Sequence, residues 1–287
     1  MRTARIGTGF IMAAFGALGL LLAAHAAAQE FPMKTVLTNA HVIDGTGKGP
    51  MDNMTVVIVG NTIAEIFPGP YEKTAGEENV RILDLENGYV LPGLWNVHMH
   101  LAALLPDPND LQEHESLASA VIRAGLNAMD GLRHGFTGIR TVGEREGLDI
   151  AWRDAFDRGF FLGPRIFTSG EAVSTTGGHR GDIGEGADGP AEIRKAVRRQ
   201  IQKGVNWIKI MEVEMLDDEV KAAVDVAHHH GLRVAAHSKE PTTYRCVELG
   251  VDCIEHGYGL KDETIKLMAE KGTFYVPTII CNLSDQY

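Results

Sequence analysis

From Leu91 onward, short apolar stretches alternate with amphipathic helical stretches, and this alternation constrains the fold more than any other feature of the sequence. Strands that are separated by helices return in the same direction, so they form parallel sheets covered by helices. The predicted strands cover residues 94–97, 136–142, 165–170, 206–211, 233–237, 253–257 and 273–278. Strands in such a series predict an α/β fold of the (β/α)8 barrel type, with strands 1–7 present.

The helical stretches between these strands carry start and stop signals. The stretch 190–204 opens with proline and closes on glycine, which is the usual asymmetry of a helix. The stretch 217–231 begins with acidic residues and ends in histidines, an arrangement that suits the helix dipole. The stretches 241–250 and 261–272 repeat the scheme, and each predicts a helix that returns the chain to the next strand.

The length of the chain bounds the domain organisation. A (β/α)8 barrel takes about 250 residues, so one that starts near residue 90 would extend to roughly residue 340. We therefore expect the eighth strand to lie beyond Tyr287. Before the barrel, β-branched runs broken by Asp-Gly, Gly-Asn and Pro-Gly predict a small antiparallel sheet. The predicted organisation is a signal peptide over residues 1–28, a β-rich portion over 29–88 and an incomplete barrel over 89–287.

The first 28 residues are typical of a secretory signal peptide. They combine a basic start, a short apolar stretch and small residues, and cleavage is expected between Ala28 and Gln29. The apolar stretch falls short of the roughly 20 residues that a membrane span requires, so we expect no stable span after cleavage. A retained N-terminal anchor is the alternative. The expected location is the periplasm or the extracellular space.

Charge and cysteine usage exclude several classes of partner. Loss of the signal peptide takes the formal charge from −11 to −13, because the segment contains Arg2 and Arg5 and no acidic residue. An acidic chain without a Lys/Arg cluster is a poor candidate for binding nucleic acid or anionic membranes. The three cysteines (Cys246, Cys253 and Cys281) have apolar neighbours, which predicts buried thiols rather than a disulfide framework. The sequence leaves a homo-oligomer open.

Two histidines stand two positions apart at the end of the first predicted barrel strand, in the stretch LPGLWNVHMHLA. Residues i and i+2 of a strand face the same side, so His98 and His100 can reach one point at the Zn–N distance of about 2 Å. Taken alone, the pair is equally compatible with two ordinary strand histidines. His237 and His256 end the fifth and sixth predicted strands at the same end of the barrel. Four convergent histidines favour a metal site, with zinc first and Mn, Co or Fe open.

The fourth predicted strand contains Lys209 between Ile208 and Ile210, so the lysine and the isoleucines face opposite sides. If the isoleucines pack under the helices, Lys209 lies among the histidines, where burial lowers the pKa of an amine. A neutral amine can take up CO2 to form a carbamate whose two oxygens bridge two metal ions. The alternative is a lysine that extends to solvent at the strand end. Glu212 and Glu214, which follow closely, are expected on the surface.

Together these motifs resemble the amidohydrolase superfamily of metal-dependent hydrolases. VLPGLWNVHMH, WIKIM, VAAHS and IEHG match in order, and HVIDGTGKGPMDNMTVVIVGNTIAEI resembles the superfamily's N-terminal β-sandwich portion. The resemblance implies a cofactor of divalent metal, two zinc ions bridged by carboxylated Lys209. It further implies that His98 and His100 bind the buried ion and that His237 and His256 bind the second.

The loop TTGGHRGD, residues 175–182, resembles the Xaa-Pro dipeptidase and imidazolonepropionase-like branch. This resemblance implies that His179 binds the substrate or polarises its carbonyl; a solvated loop histidine is the alternative. The implied activity is hydrolysis of a carbon–nitrogen bond by a metal-activated hydroxide, in an exported dipeptidase or N-acyl amino acid hydrolase that acts on a small amide or dipeptide. Cyclic amides, lactones, esters and organophosphates stay open, because fold does not fix the substrate.

Three features depart from the superfamily pattern. Asn96 stands where an Asp usually precedes the first histidine by two residues, and IRTVGE stands where an Arg-Asp pair is more usual. The eighth-strand Asp, which binds metal and acts as general base, is expected beyond Tyr287, so no catalytic base is assigned within the chain. A non-catalytic metal-binding fragment is therefore the rival interpretation.

Overall fold

The computed structural model describes residues 34–104, 115–179 and 185–279. The expected signal peptide, Cys281 and Tyr287 lie outside these residues. The chain divides into two compact units, one ending at Pro92 and the other beginning at Gly93. In the described ranges, no helix combines the length and the apolar character needed to cross a membrane.

The first unit is one β-sheet of mixed direction. Its strands are β1 (Lys34–Val42), β2 (Met51–Val59), β3 (Thr62–Pro68), β4 (Val80–Asp84) and β5 (Tyr89–Val90). The order is β3-β2-β1-β4, and β5 also pairs with β1. The β1–β2 and β2–β3 pairs are antiparallel as predicted, but β4 and β5 run parallel to β1. The prediction of an antiparallel sheet was wrong for these two strands. After β3 the chain returns to the end of the sheet where β1 starts before β4 begins, so β4 runs parallel to β1.

The second unit contains two parallel sheets within the described residues. The smaller has the order β6 (Leu94–Met99), β7 (Phe136–Thr141), β8 (Arg165–Phe167). The larger has the order β10-β9-β11-β12-β13-β14. Its strands are β9 (Val173–Ser174), β10 (Glu185–Gly186), β11 (Ile208–Met211), β12 (Val234–Lys239), β13 (Cys253–Tyr258) and β14 (Phe274–Val276). The predicted α/β fold with parallel strands is confirmed. Strands β9 and β10 were not predicted, because two residues are too few to show an alternating hydrophobic pattern.

Helices connect these strands as the start and stop signals predict. They are α1 (Leu117–Arg133), α2 (Leu148–Asp157), α3 (Gly189–Gln202), α4 (Asp217–His229), α5 (Thr242–Glu248) and α6 (Asp262–Lys271). The side chain of Ser116 caps α1 by accepting a hydrogen bond from the Ser119 amide. At the end of α6, Gly272 adopts a left-handed φ of 70°, which glycine tolerates best.

The main apolar core lies between α3, α4 and one face of β11, β12 and β13. Ile208 and Ile210 of β11 are fully buried in it, together with Ile254 of β13. The helices contribute Ile193, Val197, Val220 and Val224 among others. This packing uses the isoleucine face of β11 and leaves Lys209 on the opposite face of the strand, so the apolar core fixes where the polar side chains go.

Candidate active site

Five histidine rings form a continuous row in the second unit. In order along the row they are His100, His98, His256, His237 and His179. The ring centroids are 5.5 Å apart for the first pair, 4.6 Å for the second, 4.6 Å for the third and 4.7 Å for the fourth. His98 lies near the end of β6 and His100 directly follows it. His237 and His256 were predicted at the last positions of their strands, but β12 and β13 each continue for two further residues; His179 comes from the loop after β9. The structure thus brings together every histidine that the sequence singled out as a site residue.

Lys209 lies on β11 beside this row. Its side chain is 1% exposed, and its Cα pairs with Ala235, two residues before His237 on β12. Its charge acts on His98 and His256 as well as on His237, which places the amine near all three rings. The fifth predicted metal ligand is therefore buried, beside histidines that are buried or half-buried.

Burial keeps the central imidazoles neutral. Desolvation, followed by the charge of Lys209, lowers the pKa of His237 to about 2. Desolvation, followed by the His98 and Lys209 charges, lowers the pKa of His256 to about 3. The pKa of His98 is also lowered, chiefly by burial. Neutral imidazole is the form of histidine that binds a metal ion.

Hydrogen bonds set the tautomers of the two histidines on β6. The Nδ1 atom of His98 lies 2.6 Å from Oε2 of Glu255, and Nδ1 of His100 lies 3.1 Å from the carbonyl oxygen of Gly143. Both partners are acceptors, so each Nδ1 carries a proton, and in the neutral form of either ring the lone pair is then on Nε2. Histidines that bind metals typically donate their second ring nitrogen to such a carboxylate or carbonyl.

Glu255 is the site residue that the sequence interpretation missed. Its side chain is fully buried. Burial by itself raises the pKa of Glu255, but the hydrogen bond with His98 and the charges of Lys209 and Arg140 outweigh it and lower the pKa to about 2. Glu255 is thus a carboxylate at neutral pH, and the one available signal was its position next to His256 in the IEHG motif.

A local distortion explains how two neighbouring residues reach the same group of rings. Successive residues of a regular strand face opposite sides, so alternation would bring only one of Glu255 and His256 to His98. His256 adopts a left-handed φ of 66°, and the register between β12 and β13 shifts immediately after this residue. Its Nδ1 lies 2.7 Å from Oγ1 of Thr278, which holds the turned ring.

The two sequence departures have visible structural consequences. The side chain of Asn96 accepts a hydrogen bond of 3.1 Å from the backbone amide of His98, so it fixes the strand rather than the ring. Thr141 donates a 2.7 Å hydrogen bond to the buried carboxylate of Asp149. Its neighbour Arg140 reaches the interior and forms an ion pair with Glu255.

The prediction that Glu212 is a surface carboxylate was wrong, whereas Glu214 is exposed as expected. A short 3-10 helix over Glu212–Glu214 turns the first side chain inward, where it is fully buried. Its carboxylate accepts hydrogen bonds from Ser238 Oγ at 2.6 Å, Thr242 Oγ1 at 2.8 Å and Arg245 at 3.3 Å. These three donors offset the loss of solvation, so Glu212 joins β11 to β12 and α5.

The donor set suits a divalent metal by its chemistry. In the part of the chain that the structure describes, no three His, Cys, Asp or Glu side chains are already placed as an ion site. The rings instead meet edge to face, with 66° between the planes of His98 and His256. Yet neutral imidazoles, Nε2 lone pairs on His98 and His100, and the buried amine of Lys209 are the groups that such a site requires.

Comparison with known proteins agrees with this arrangement. The chain is similar to a Xaa-Pro dipeptidase crystallised with methionine in its active site, with a TM-score of 0.78 and 31% identity over 86% of this chain and 67% of that chain. A prolidase in complex with N-methylphosphonate-L-proline gives a TM-score of 0.77 and 32% identity over 86% and 66% of the two chains. Ochratoxinase of Aspergillus niger is 29% identical over 85% of this chain and 58% of its own length.

The similarity extends through most of the second unit but not through the full length of the relatives. The chain spans 54% to 58% of the length of the curated relatives that it matches. The amidohydrolase family matches residues 89–286, which include all five histidines of the row and Lys209. The chain therefore belongs to the amidohydrolase family.

Proposed function

We propose that this chain carries the metal centre of a hydrolase that cleaves carbon–nitrogen bonds in small amides or dipeptides. The single observation that carries this proposal is the row of five histidine rings beside a buried lysine. His256 is buried, His98, His100 and His237 are half-buried, and His179 is exposed. Apolar side chains would pack the inner part of this row without the cost of desolvating imidazole nitrogens, so core packing does not explain the choice of histidine. The two parallel sheets are, in this proposal, parts of one (β/α)8 barrel whose active site lies at the carboxyl ends of the strands.

Each polar group has a specific role in the proposal. His98 and His100 would hold one divalent ion and His237 and His256 would hold a second, with Lys209, once carboxylated, as a further ligand. Zinc is the metal that imidazole ligands in this number favour. When bound, a divalent metal supplies an acidic water and polarises the carbonyl that is attacked. The protein contributes neutral rings whose Nε2 lone pairs are directed by acceptors on Nδ1.

His179 is the proposed substrate-binding residue. Its ring stacks on that of His237, with 4.7 Å between centroids and 27° between planes. It comes from a loop rather than from a strand end, and its backbone carbonyl accepts a 3.0 Å hydrogen bond from Ser174 Oγ. This position at the end of the row suits contact with a substrate carbonyl, where an imidazole N–H stabilises developing negative charge.

An amide that releases a free amino acid is the proposed substrate class. Two of the similar solved structures are a Xaa-Pro dipeptidase with bound methionine and a prolidase in complex with N-methylphosphonate-L-proline. Dipeptides and N-acyl amino acids share the α-carboxylate of these two ligands, and hydrolysis of their amide bond releases a free amino acid of the kind that methionine represents. We place cyclic amides and lactones second.

Metal binding and hydrolysis test the proposal together. Metal-free protein incubated with zinc and then desalted should retain close to two equivalents, measured by atomic emission, and the loaded protein should release amino acids from dipeptides or N-acyl amino acids. His98→Ala should lose zinc. Retention of less than one equivalent by the unmodified chain would contradict the metal centre. Hydrolysis restricted to cyclic amides or lactones would change the substrate class and keep the metal role.

We also propose that the protein is exported. The basis is the layout of residues 1–28, a basic start followed by an apolar stretch and small residues. Fusion of residues 1–40 to a reporter enzyme that is active only outside the cytoplasm should give activity. A fusion protein that stays in the cytoplasm with an inactive reporter would contradict export.

A further inference from the structure

Glu255 joins three strands of the second unit through its two carboxylate oxygens. Oε2 accepts a hydrogen bond of 2.6 Å from the ring of His98 on β6. Oε1 accepts from the guanidinium of Arg140 on β7 and from the thiol of Cys253 at 3.3 Å. Residues far apart in the sequence thus meet at one buried carboxylate, directly beside a proposed metal ligand.

Arg140 is itself held from several sides. Its Nε donates a 2.6 Å hydrogen bond to the carbonyl of Val97, the residue that precedes His98. Its guanidinium lies over the ring of Trp207, 4.3 Å from the centroid. Arg140 therefore holds the backbone before His98 directly and the ring of His98 through Glu255.

We infer that Glu255 and Arg140 are positioning residues that orient the ring of His98 and direct its Nε2 toward the metal. This inference rests on the proposed metal centre. A buried ion pair is weak support for stability, since apolar residues of similar volume usually stabilise a core as well or better. In contrast, the group that accepts a hydrogen bond from the ring nitrogen not bound to metal commonly determines how tightly a histidine binds its metal.

Asn96 strengthens the inference because it leaves the orienting role to Glu255. The amide oxygen of Asn96 accepts from the backbone amide of His98 at 3.1 Å, whereas the carboxylate of Glu255 contacts the ring itself. Only the ring contact fixes both the tautomer and the rotation of the imidazole. The Arg140–Glu255 pair thus acts on the ligand, and Asn96 acts on its strand.

Cobalt binding separates this role from a contribution to folding. Metal-free protein is titrated with Co2+ against a competing chelator, and the visible absorption of bound Co2+ is recorded with the affinity. Glu255→Gln should weaken Co2+ binding by roughly 10- to 100-fold and change the absorption spectrum, because the ring loses its anionic acceptor. Glu212→Gln is the matched control, since Glu212 is equally buried but donors on Ser238, Thr242 and Arg245 hold it.

A double variant, Arg140→Met with Glu255→Gln, keeps the test decisive if a single variant fails to fold. It removes the buried carboxylate together with its half-buried guanidinium partner, so thermal unfolding of the metal-free protein should return toward the unmodified value while Co2+ affinity stays low. Recovery of both stability and affinity would show a merely structural pair and overturn the inference, as would wild-type affinity and spectrum in Glu255→Gln. Failure of the unmodified chain to bind Co2+ or Zn2+ would instead overturn the proposed metal centre and this inference with it.

Discussion

The two faces of strands β11, β12 and β13 have opposite chemistry although both are buried. One face carries Ile208, Ile210 and Ile254, which pack into the apolar core under α3 and α4. The other carries Lys209, His237 and Glu255, whose contacts are mainly polar. Adjacent residues of one strand therefore have different roles. The apolar face supplies the free energy of folding, whereas the polar face holds groups that are costly to bury.

Substitutions of Ile208 and Lys209 test the difference between the two faces most directly. The change at Ile208 should lower the free energy of unfolding the most. Ile208→Ala removes fully buried atoms from the main core. We expect the free energy of unfolding to fall by roughly 2–5 kcal/mol, because transfer and cavity contributions add. Urea unfolding of the metal-free protein measures the change. The folded fraction should still bind zinc, and loss of zinc from fully folded protein would contradict the separation of the faces.

Acid should weaken the polar face selectively. Folding lowers the pKa of His237 from 6.5 to about 2 and that of His256 from 6.5 to about 3. The unfolded chain therefore binds more protons below pH 6.5, so this stability is complete above that pH and is lost as the pH falls toward the folded values. The expected loss is at most about 1.4 kcal/mol per pH unit for each histidine.

Urea unfolding of metal-free protein at several pH values from 7 to 5 measures this loss. His237→Asn removes one of the two groups and should give a shallower dependence. A slope identical to that of the unmodified protein would show that His237 titrates alike in the folded and unfolded chains.

Lys209→Met should have a small effect on folding and a large one on metal binding. Methionine has a similar length and avoids the burial of an amine, so we expect the free energy of unfolding of the metal-free protein to fall by no more than about 1 kcal/mol. Without a lysine the proposed carbamate cannot form, so zinc bound per chain should fall from the two equivalents expected for the unmodified protein to one or fewer. A loss of stability as large as that of Ile208→Ala would place Lys209 in the structural core instead.

The solvent side of α4 should give the smallest effect. Lys221 and Asp225 form an exposed ion pair one helical turn apart, on the same helix that buries Val220 and Val224. Lys221→Ala should change the free energy of unfolding by less than about 0.5 kcal/mol, since exposed pairs of this kind contribute little. Thermal unfolding in low and high salt provides the measurement. A change above 1 kcal/mol would mean that the pair is part of the packed structure.

Much of the fold was predictable because it depends on local patterns. The strand–helix alternation, the proline and glycine at helix ends, and the isoleucines around Lys209 all act over a few residues. The predicted seven strands of the second unit are present for this reason. The direction of β4 and β5 in the first unit was not predictable in the same way, because it depends on where a crossover returns the chain.

Of the candidate site, the sequence supplied four histidines from predicted strand ends, Lys209 from its place between two isoleucines, and His179 from the glycine-rich loop 175–182. The sequence did not supply Glu255, because the alternation of a regular strand predicts that Glu255 and His256 face opposite sides. Both reach His98 only because His256 adopts a left-handed φ. Glu212 was misplaced for a related reason, since a short turn after β11 directs it inward. Both errors arise where backbone geometry departs from the regular strand.

By itself, the sequence determined which chemistry is available: five imidazoles, one lysine and the strands that present most of them. The tertiary structure decided which groups hold them, because the partners lie far apart in the chain. Glu255 meets His98 across 157 residues and Arg140 across 115. Local periodicity assigns a side chain to a face, whereas only the packing of whole strands sets which buried donor meets which acceptor.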